Sequence, residues 1–234
     1  MFDFLNFEGP FAQTVYKIFN MIIISALWLL FCIPLFTAGA STTALYYTVQ
    51  KSLKNNRGNS WQCFWESFKS NFKQSTVVQL VLLAVTFVMV TDIQIVNTFR
   101  EEGVTGGYMR IFFIIVLVLL AIYAFWIYAY IARFQSKLKE VLKNSLYMAI
   151  VHLPITVIVA AIGAGACFLI YLVWPLVFIM PTVSVWLMSY FTEKVFRRYM
   201  SEDDRELEDE LNMDWSDNYA GKRRGKSRNR ENER

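Results

Sequence analysis

The sequence predicts an all-α fold: a polytopic helical membrane bundle of about five transmembrane helices, with amphipathic interfacial helices. Three observations carry that expectation. Apolar runs lie near Phe19–Phe36, Val77–Val96, Ile111–Ala132 and Ala149–Val173, and a fifth, Leu176–Phe191, follows almost without a break. A bilayer's hydrocarbon core is about 30 Å thick and takes roughly 20 apolar residues of helix to cross. Within these runs the ionisable residues are Asp92 and His152 alone. The hydrophobic fraction is 56 % and the mean hydropathy +0.36, above the roughly 45–50 % apolar share of soluble domains. Trp61, Trp65, Tyr108, Tyr128, Tyr130, Trp174, Tyr190 and Tyr199 fall near run ends, as in an interfacial aromatic belt.

The first run has no basic segment before it, only Asp3, Glu8 and Lys17, so the Ala38-Gly39-Ala40 stretch after it is not expected to be a signal cleavage site. The course of the chain after Pro34 has two readings. Pro34–Tyr47 breaks the helix, and Ser41–Leu53 reads as a further one. If the chain continues inward there, five spans stand. If it turns back, there are six and the N-terminus is inside. The shortness and hydroxyl content of Ser41–Gln50 favour five.

Charge sets the orientation. The segment after the first run carries Lys51, Lys54, Arg57, Lys69 and Lys73 against Glu66. The segment before the fourth carries Arg133, Lys137, Lys139 and Lys143 against Glu140, whereas Phe99–Arg110 is balanced. Lysine and arginine mark the cytoplasmic side, so both basic segments and the C-terminus are expected inside a bacterial plasma membrane. Residues 1–200 then form the helical transmembrane domain. Residues 201–234 form a charged, largely disordered cytoplasmic tail, with eleven acidic and eight basic side chains.

The two basic segments resemble each other. FWESFKSNFKQS (Phe64–Ser75) aligns with FQSKLKEVLKNS (Phe134–Ser145), each with a Phe opening an amphipathic helix and Lys-(Gln/Asn)-Ser closing it before a span. The apolar stripes are Trp61, Phe64, Trp65, Phe68 and Phe72 in the first, and Phe134, Leu138, Val141 and Leu142 in the second. Duplication of a hairpin and the shared demands of basic entry helices explain the likeness equally well. Lys69, Lys73, Lys137, Lys139 and Lys143, with Arg223 and Arg224 of the tail, are the candidate contacts to anionic lipid. The bland reading of the tail is a solvated extension, and nucleic acid is not expected as a partner.

Two intramembrane polar residues are candidates for function. Asp92 lies in the outer part of the second run; a charge at depth marks a site when it faces a cavity. About 24 Å from the inner end of its helix, it also stands high enough to reach the interface. His152, beside Pro154, reads as a proton relay or ligand-orienting group, or as a helix–helix partner for carbonyls that Pro154 frees. Gly163–Ala166 reads as a close-packing patch or a substrate-lining surface. Cys32, Cys63 and Cys167 have no metal-ligand spacing and are expected to be unpaired. The single His excludes HExxH, and no GxSxG, P-loop or GxGxxG occurs. No metal, cofactor or enzymatic activity is expected.

Glu8-Gly9-Pro10 and LWLLFCIPLFTAGASTTALYY (Leu27–Tyr47) resemble the YesL-like family of bacterial integral membrane proteins, which carries a domain of unknown function. The likeness is carried most specifically by Pro34, Gly39, Thr42, Thr43 and Ala44–Tyr47, and extends over about the first 200 residues. It implies a compact helical membrane protein, encoded in many relatives beside carbohydrate-uptake transporters and polysaccharide-degrading enzymes. It implies no catalytic residues. From the residues themselves, Pro34, Gly39, Ser41, Thr42, Thr43, Tyr46 and Tyr47 form a candidate hinge or substrate site. Their small side chains permit close approach, their hydroxyls can take carbonyls released by Pro34, and the tyrosines can anchor the helix at the interface. The leading expectation is a non-enzymatic accessory of carbohydrate uptake, with sugar-transporter subunits, lipid or a second copy as partners. A small autonomous transporter or channel, and a scaffold acting through basic helices and tail, are the alternatives.

Overall fold

The computed structural model describes residues 10–55, 58–98, 104–134, 136–206 and 208–210. Among them the chain is helical, without strands. The order is α1 (Pro10–Cys32), a 3-10 turn (Leu35–Thr37), α2 (Ala38–Thr48), a π turn (Val49–Lys54), α3 (Ser60–Thr98), α4 (Val104–Arg133), α5 (Leu138–Val151), α6 (Leu153–Leu172), a 3-10 turn (Trp174–Phe178) and α7 (Met180–Tyr199). Two compact units divide it, one reaching Thr192 and the other starting at Glu193. Arg223 and Arg224 lie outside the described residues.

Among the described residues, three helices are long and apolar enough to cross a bilayer: α3, residues Gly107–Arg133 of α4, and α6, with mean hydropathies of 2.1, 2.8 and 2.4. The chain is thus a membrane protein and its fold an all-α bundle. The other two apolar runs are cut shorter. Phe19–Phe36 ends as helix at Cys32, and Leu176–Phe191 divides between a 3-10 turn and α7. Ala149–Val173 is split at His152, whose backbone (φ −105, ψ 45) is not helical.

At Pro34 the structure corrects the favoured course. Pro34 is extended (φ −77, ψ 111), and the chain reverses there over α1 instead of continuing inward. Trp28 Nε1 donates to Thr42 Oγ1 at 3.2 Å and Ser41 Oγ donates to the Trp28 carbonyl at 3.1 Å, tying α2 back onto α1. At 11 residues, α2 is only about 16 Å long. It is almost wholly buried, with Gly39, Ala40, Ser41, Thr43, Ala44, Leu45, Tyr46 and Thr48 all inside.

The first amphipathic segment and the second apolar run form one continuous helix, the 39-residue α3. Its buried stripe is Ser60, Cys63, Phe64, Ser67, Phe68, Ser75 and Val78, a 3.6-residue repeat. Phe31 of α1 packs on this stripe, 4.8 Å from the Phe68 ring centroid and 6.0 Å from that of Phe64. Trp61 and Trp65 of the expected stripe are exposed instead. The second segment differs from its repeat partner. Phe134 precedes α5 rather than opening it, and its ring lies tilted against that of Tyr130, with centroids 4.7 Å apart. The buried face of α5 is Val141, Ser145 and Met148, while Leu142 points outward.

Candidate functional site

Alpha-helix α2 is the centre of the site, and a glycine puts it there. A Cβ on Gly39 would stand 2.8 Å from the Ser75 carbonyl oxygen, 2.9 Å from Tyr128 Cε1 and 3.0 Å from Gln79 Cβ. Only the missing side chain lets α2 meet α3 and α4 this closely. Beside that contact the Tyr128 hydroxyl donates to Gln79 Oε1.

The hydroxyls of α2 are engaged by neighbouring helices or by their own carbonyls. Thr43 Oγ1 lies 3.0 Å from Ser75 Oγ and donates to the Gly39 carbonyl at 3.0 Å. Thr42 and Thr48 donate to carbonyls four residues back, at 2.8 and 2.7 Å. The Tyr46 hydroxyl meets Thr192 Oγ1 at 2.8 Å. In the π turn Ser52 Oγ meets Ser60 Oγ at 2.8 Å, across a bend that turns at Gly58 (φ 75). A further buried pair, Ser25 and Thr182 at 2.6 Å, fastens α1 to α7. In an apolar medium an unpaired hydroxyl costs several kcal/mol on transfer scales, so these pairs hold helices together.

Each candidate has a definite place. Pro34 sits in an exposed turn; Gly39, Ser41, Thr43 and Tyr46 are buried; Thr42 and Tyr47 are half-buried. Two expectations about the hinge are corrected. Tyr46 is 2 % exposed and bonded inside the bundle, so it is no interfacial anchor. The carbonyls at the Pro34 break are taken by Thr37, whose Oγ1 donates to Phe31 O at 2.5 Å and Pro34 O at 2.8 Å, and not by Ser41–Thr43. The second break repeats this arrangement: Thr156 Oγ1 donates to Ala149 O at 2.9 Å and His152 O at 3.2 Å. Thr156 thus takes carbonyls around Pro154. The sequence signal for both is a threonine two or three residues after a helix-breaking proline.

Asp92 is half-buried near the C-terminal end of α3, and His152 lies at the junction of α5 and α6. No hydrogen bond or ion pair among the described residues joins them. In the small-residue patch, a Cβ on Gly163 would come 3.2 Å from Met188 Cε while Gly165 faces open space. One glycine of the patch therefore packs and the other does not. Cys32, Cys63 and Cys167 form no disulfide among the described residues. No group of three or more His, Cys, Asp or Glu side chains able to hold a metal occurs among the described residues. Glu193, in the second unit, is a buried carboxylate at 7 % exposure; standing just past the last apolar run, it escaped the sequence reading.

Lysines at the basic segments rest on aromatic rings. Lys51 Nζ is 5.1 Å from the Tyr47 ring centroid, Lys54 5.6 Å from that of Tyr190, and Lys69 5.0 Å from that of Trp65. Lys51 also donates to the Tyr47 hydroxyl at 2.8 Å and pairs with Glu66 at 3.3 Å. Burial alone would pull its pKa down. The Tyr47 hydrogen bond, with the charges of Tyr47, Cys63 and Glu66, outweighs that and raises it above 10.5.

Fold and site together define a helical membrane protein built around a short, hydroxyl-bonded inner helix. Residues 21–93, which run from α1 through α2 into α3, match the family described as "Protein of unknown function, DUF624". The chain is also 21 % identical over 179 residues to the protein named "Uncharacterized protein YesL" of Bacillus subtilis (strain 168), covering 74 % of this chain and 83 % of that one. Together the two matches support a YesL-like DUF624 family. No solved structure matches the chain.

Proposed function

We propose that this protein is a non-enzymatic accessory of a bacterial plasma membrane, with its C-terminus cytoplasmic, that works beside a carbohydrate-uptake transporter. One observation favours this reading over autonomous transport. At the break where a solute path would need free polar groups, Ser41, Thr43 and Tyr46 are buried and already bonded to Trp28 O, Ser75 and Thr192. Transporters built on broken helices leave such groups facing a cavity. The link to carbohydrate uptake comes from the family resemblance, and the cytoplasmic C-terminus from the basic segments.

Crosslinking in native membranes at physiological expression, followed by mass spectrometry, tests the proposal. Links to permease or solute-binding subunits are the expected result, and the linked residues would name the docking helix. Self-links alone would sink the accessory reading and favour an autonomous transporter or a homo-oligomer. A proteoliposome flux assay with Asp92→Asn as control would then separate those two.

A further inference from the structure

Gln74 and Ser136, one in each basic segment, are 62 residues apart in sequence, yet the fold joins the segments there. Gln74 Nε2 of α3 donates to the Ser136 carbonyl, just before α5, at 2.9 Å. Lys73 precedes Gln74 and Lys137 follows Ser136, so a lysine from each segment flanks the same contact, and both are exposed. The position of Ser136 is itself held. Its hydroxyl lies 3.4 Å from the Tyr130 hydroxyl, which accepts from Asn144 Nδ2 at 2.9 Å.

Along each helix the exposed stripe then changes character. In α3 it passes from Lys69 and Lys73 to Val77, Leu80 and Val81; in α5 it passes from Lys139 and Lys143 to Leu146, Tyr147 and Ile150. The lysine ends of the two stripes are the ends that the Gln74–Ser136 contact brings together. Cations over a continuous apolar surface complement a phosphate headgroup over acyl chains. Trp61 and Trp65 stand exposed on α3 before Lys69, as side chains at the headgroup level do. Two carboxylates border the patch: Glu66, paired with Lys51, and Glu140, which accepts from the Lys137 backbone N–H at 3.4 Å. Neither forms an ion pair with these five lysines among the described residues.

We propose that the α3–α5 junction is a single binding site for one anionic phospholipid, with Lys73 and Lys137 holding its phosphate from opposite sides and Lys69, Lys139 and Lys143 surrounding it.

Native mass spectrometry of the full chain tests it, with phosphatidylglycerol titrated into detergent-solubilised protein and phosphatidylcholine as the uncharged control. One phosphatidylglycerol should be retained in preference to phosphatidylcholine. Lys73→Gln and Lys137→Gln should each weaken that same lipid about fivefold, the size expected of one lysine near a surface. Lys73→Arg with Lys137→Arg should keep it, as should Arg223→Gln with Arg224→Gln. Acetylation footprinting of the unmutated chain in nanodiscs gives a second readout, in which both lysines become protected at the same phosphatidylglycerol fraction. Several outcomes would overturn the proposal: no preference for the anionic lipid, two lipids lost separately by the two variants, or loss through the tail variant. Displacement of the lipid by millimolar inorganic phosphate would overturn it as well, by making a free anion the ligand.

Discussion

Helices α2 and α6 invert the rule by which soluble proteins are built. In α6 the mean hydropathy is 2.4, yet only 11 % of its most apolar stretch is buried. In α2, Ser41, Thr43 and Thr48 are wholly buried at the centre of the first unit. The difference follows from the solvent. Lipid chains are as apolar as leucine, so an apolar helix gains little by leaving them, and helices associate through close packing and hydrogen bonds instead. A short, hydroxyl-rich helix is therefore packed inside, while a far more apolar one stays outside.

Substituting a glycine in each region would put the comparison under most strain. Gly39→Ala places a methyl against the Ser75 carbonyl at 2.8 Å and should destabilise by about 2–3 kcal/mol, the usual cost of overpacking. Gly165→Ala meets nothing within 4 Å and should be neutral or stabilising by up to about 1 kcal/mol, because alanine favours helix. Unfolding in bicelles measures both, and equal effects would erase the distinction between the two helices.

Next in size is the bond between α2 and α3. Thr43→Val and Ser75→Ala should each cost about 1 kcal/mol, and the double-mutant cycle should return a coupling near 0.6 kcal/mol, typical of interhelical bonds in membranes. A coupling of zero would mean that shape alone holds α2. Thr37→Val keeps the side-chain shape and leaves Phe31 O without its 2.5 Å donor. A loss of about 1 kcal/mol is expected in the same assay, and no loss would show that water reaches the Pro34 turn.

The smallest effect is expected where the protein meets water. Lys51 and Glu66 have 35 % and 65 % of their side chains exposed, so Glu66→Gln should change stability by no more than about 0.5 kcal/mol. The pKa of Lys51 is raised on folding, so its contribution is complete below 10.5 and is lost only as pH climbs past the folded value. A stability profile that bends between pH 6 and 9 would have to come from another group.

The apolar runs disclosed the long helices because length and composition alone decide whether a segment suits a bilayer. They were less informative where polar and apolar residues mix. The α3 helix runs unbroken through a boundary drawn at the change from amphipathic to apolar sequence, because nothing between Phe72 and Val77 stops a helix. The two repeat segments read alike, yet Phe134 falls outside α5 and Phe64 inside α3, since Phe134 follows directly on α4, its N–H bonded to the Tyr130 carbonyl. Of the hinge residues, Gly39 was legible as a site of close approach. Its partners Ser75, Gln79 and Tyr128 were not, because they lie on other helices at separations that no local pattern encodes.

By itself the sequence determined the solvent. Its long apolar stretches, nearly free of charge, suit lipid, and in lipid only a structure with all its backbone bonds made internally is stable. It also determined where the chain must break, since Pro34 and Pro154 cannot continue a helix unaided. The tertiary structure alone decided which way the chain turns at Pro34, which hydroxyls find one another, and that lysines from two distant segments flank one contact. Those outcomes depend on pairing between residues remote in the chain, where the cost of an unmade hydrogen bond in an apolar medium selects one arrangement among many of equal hydropathy.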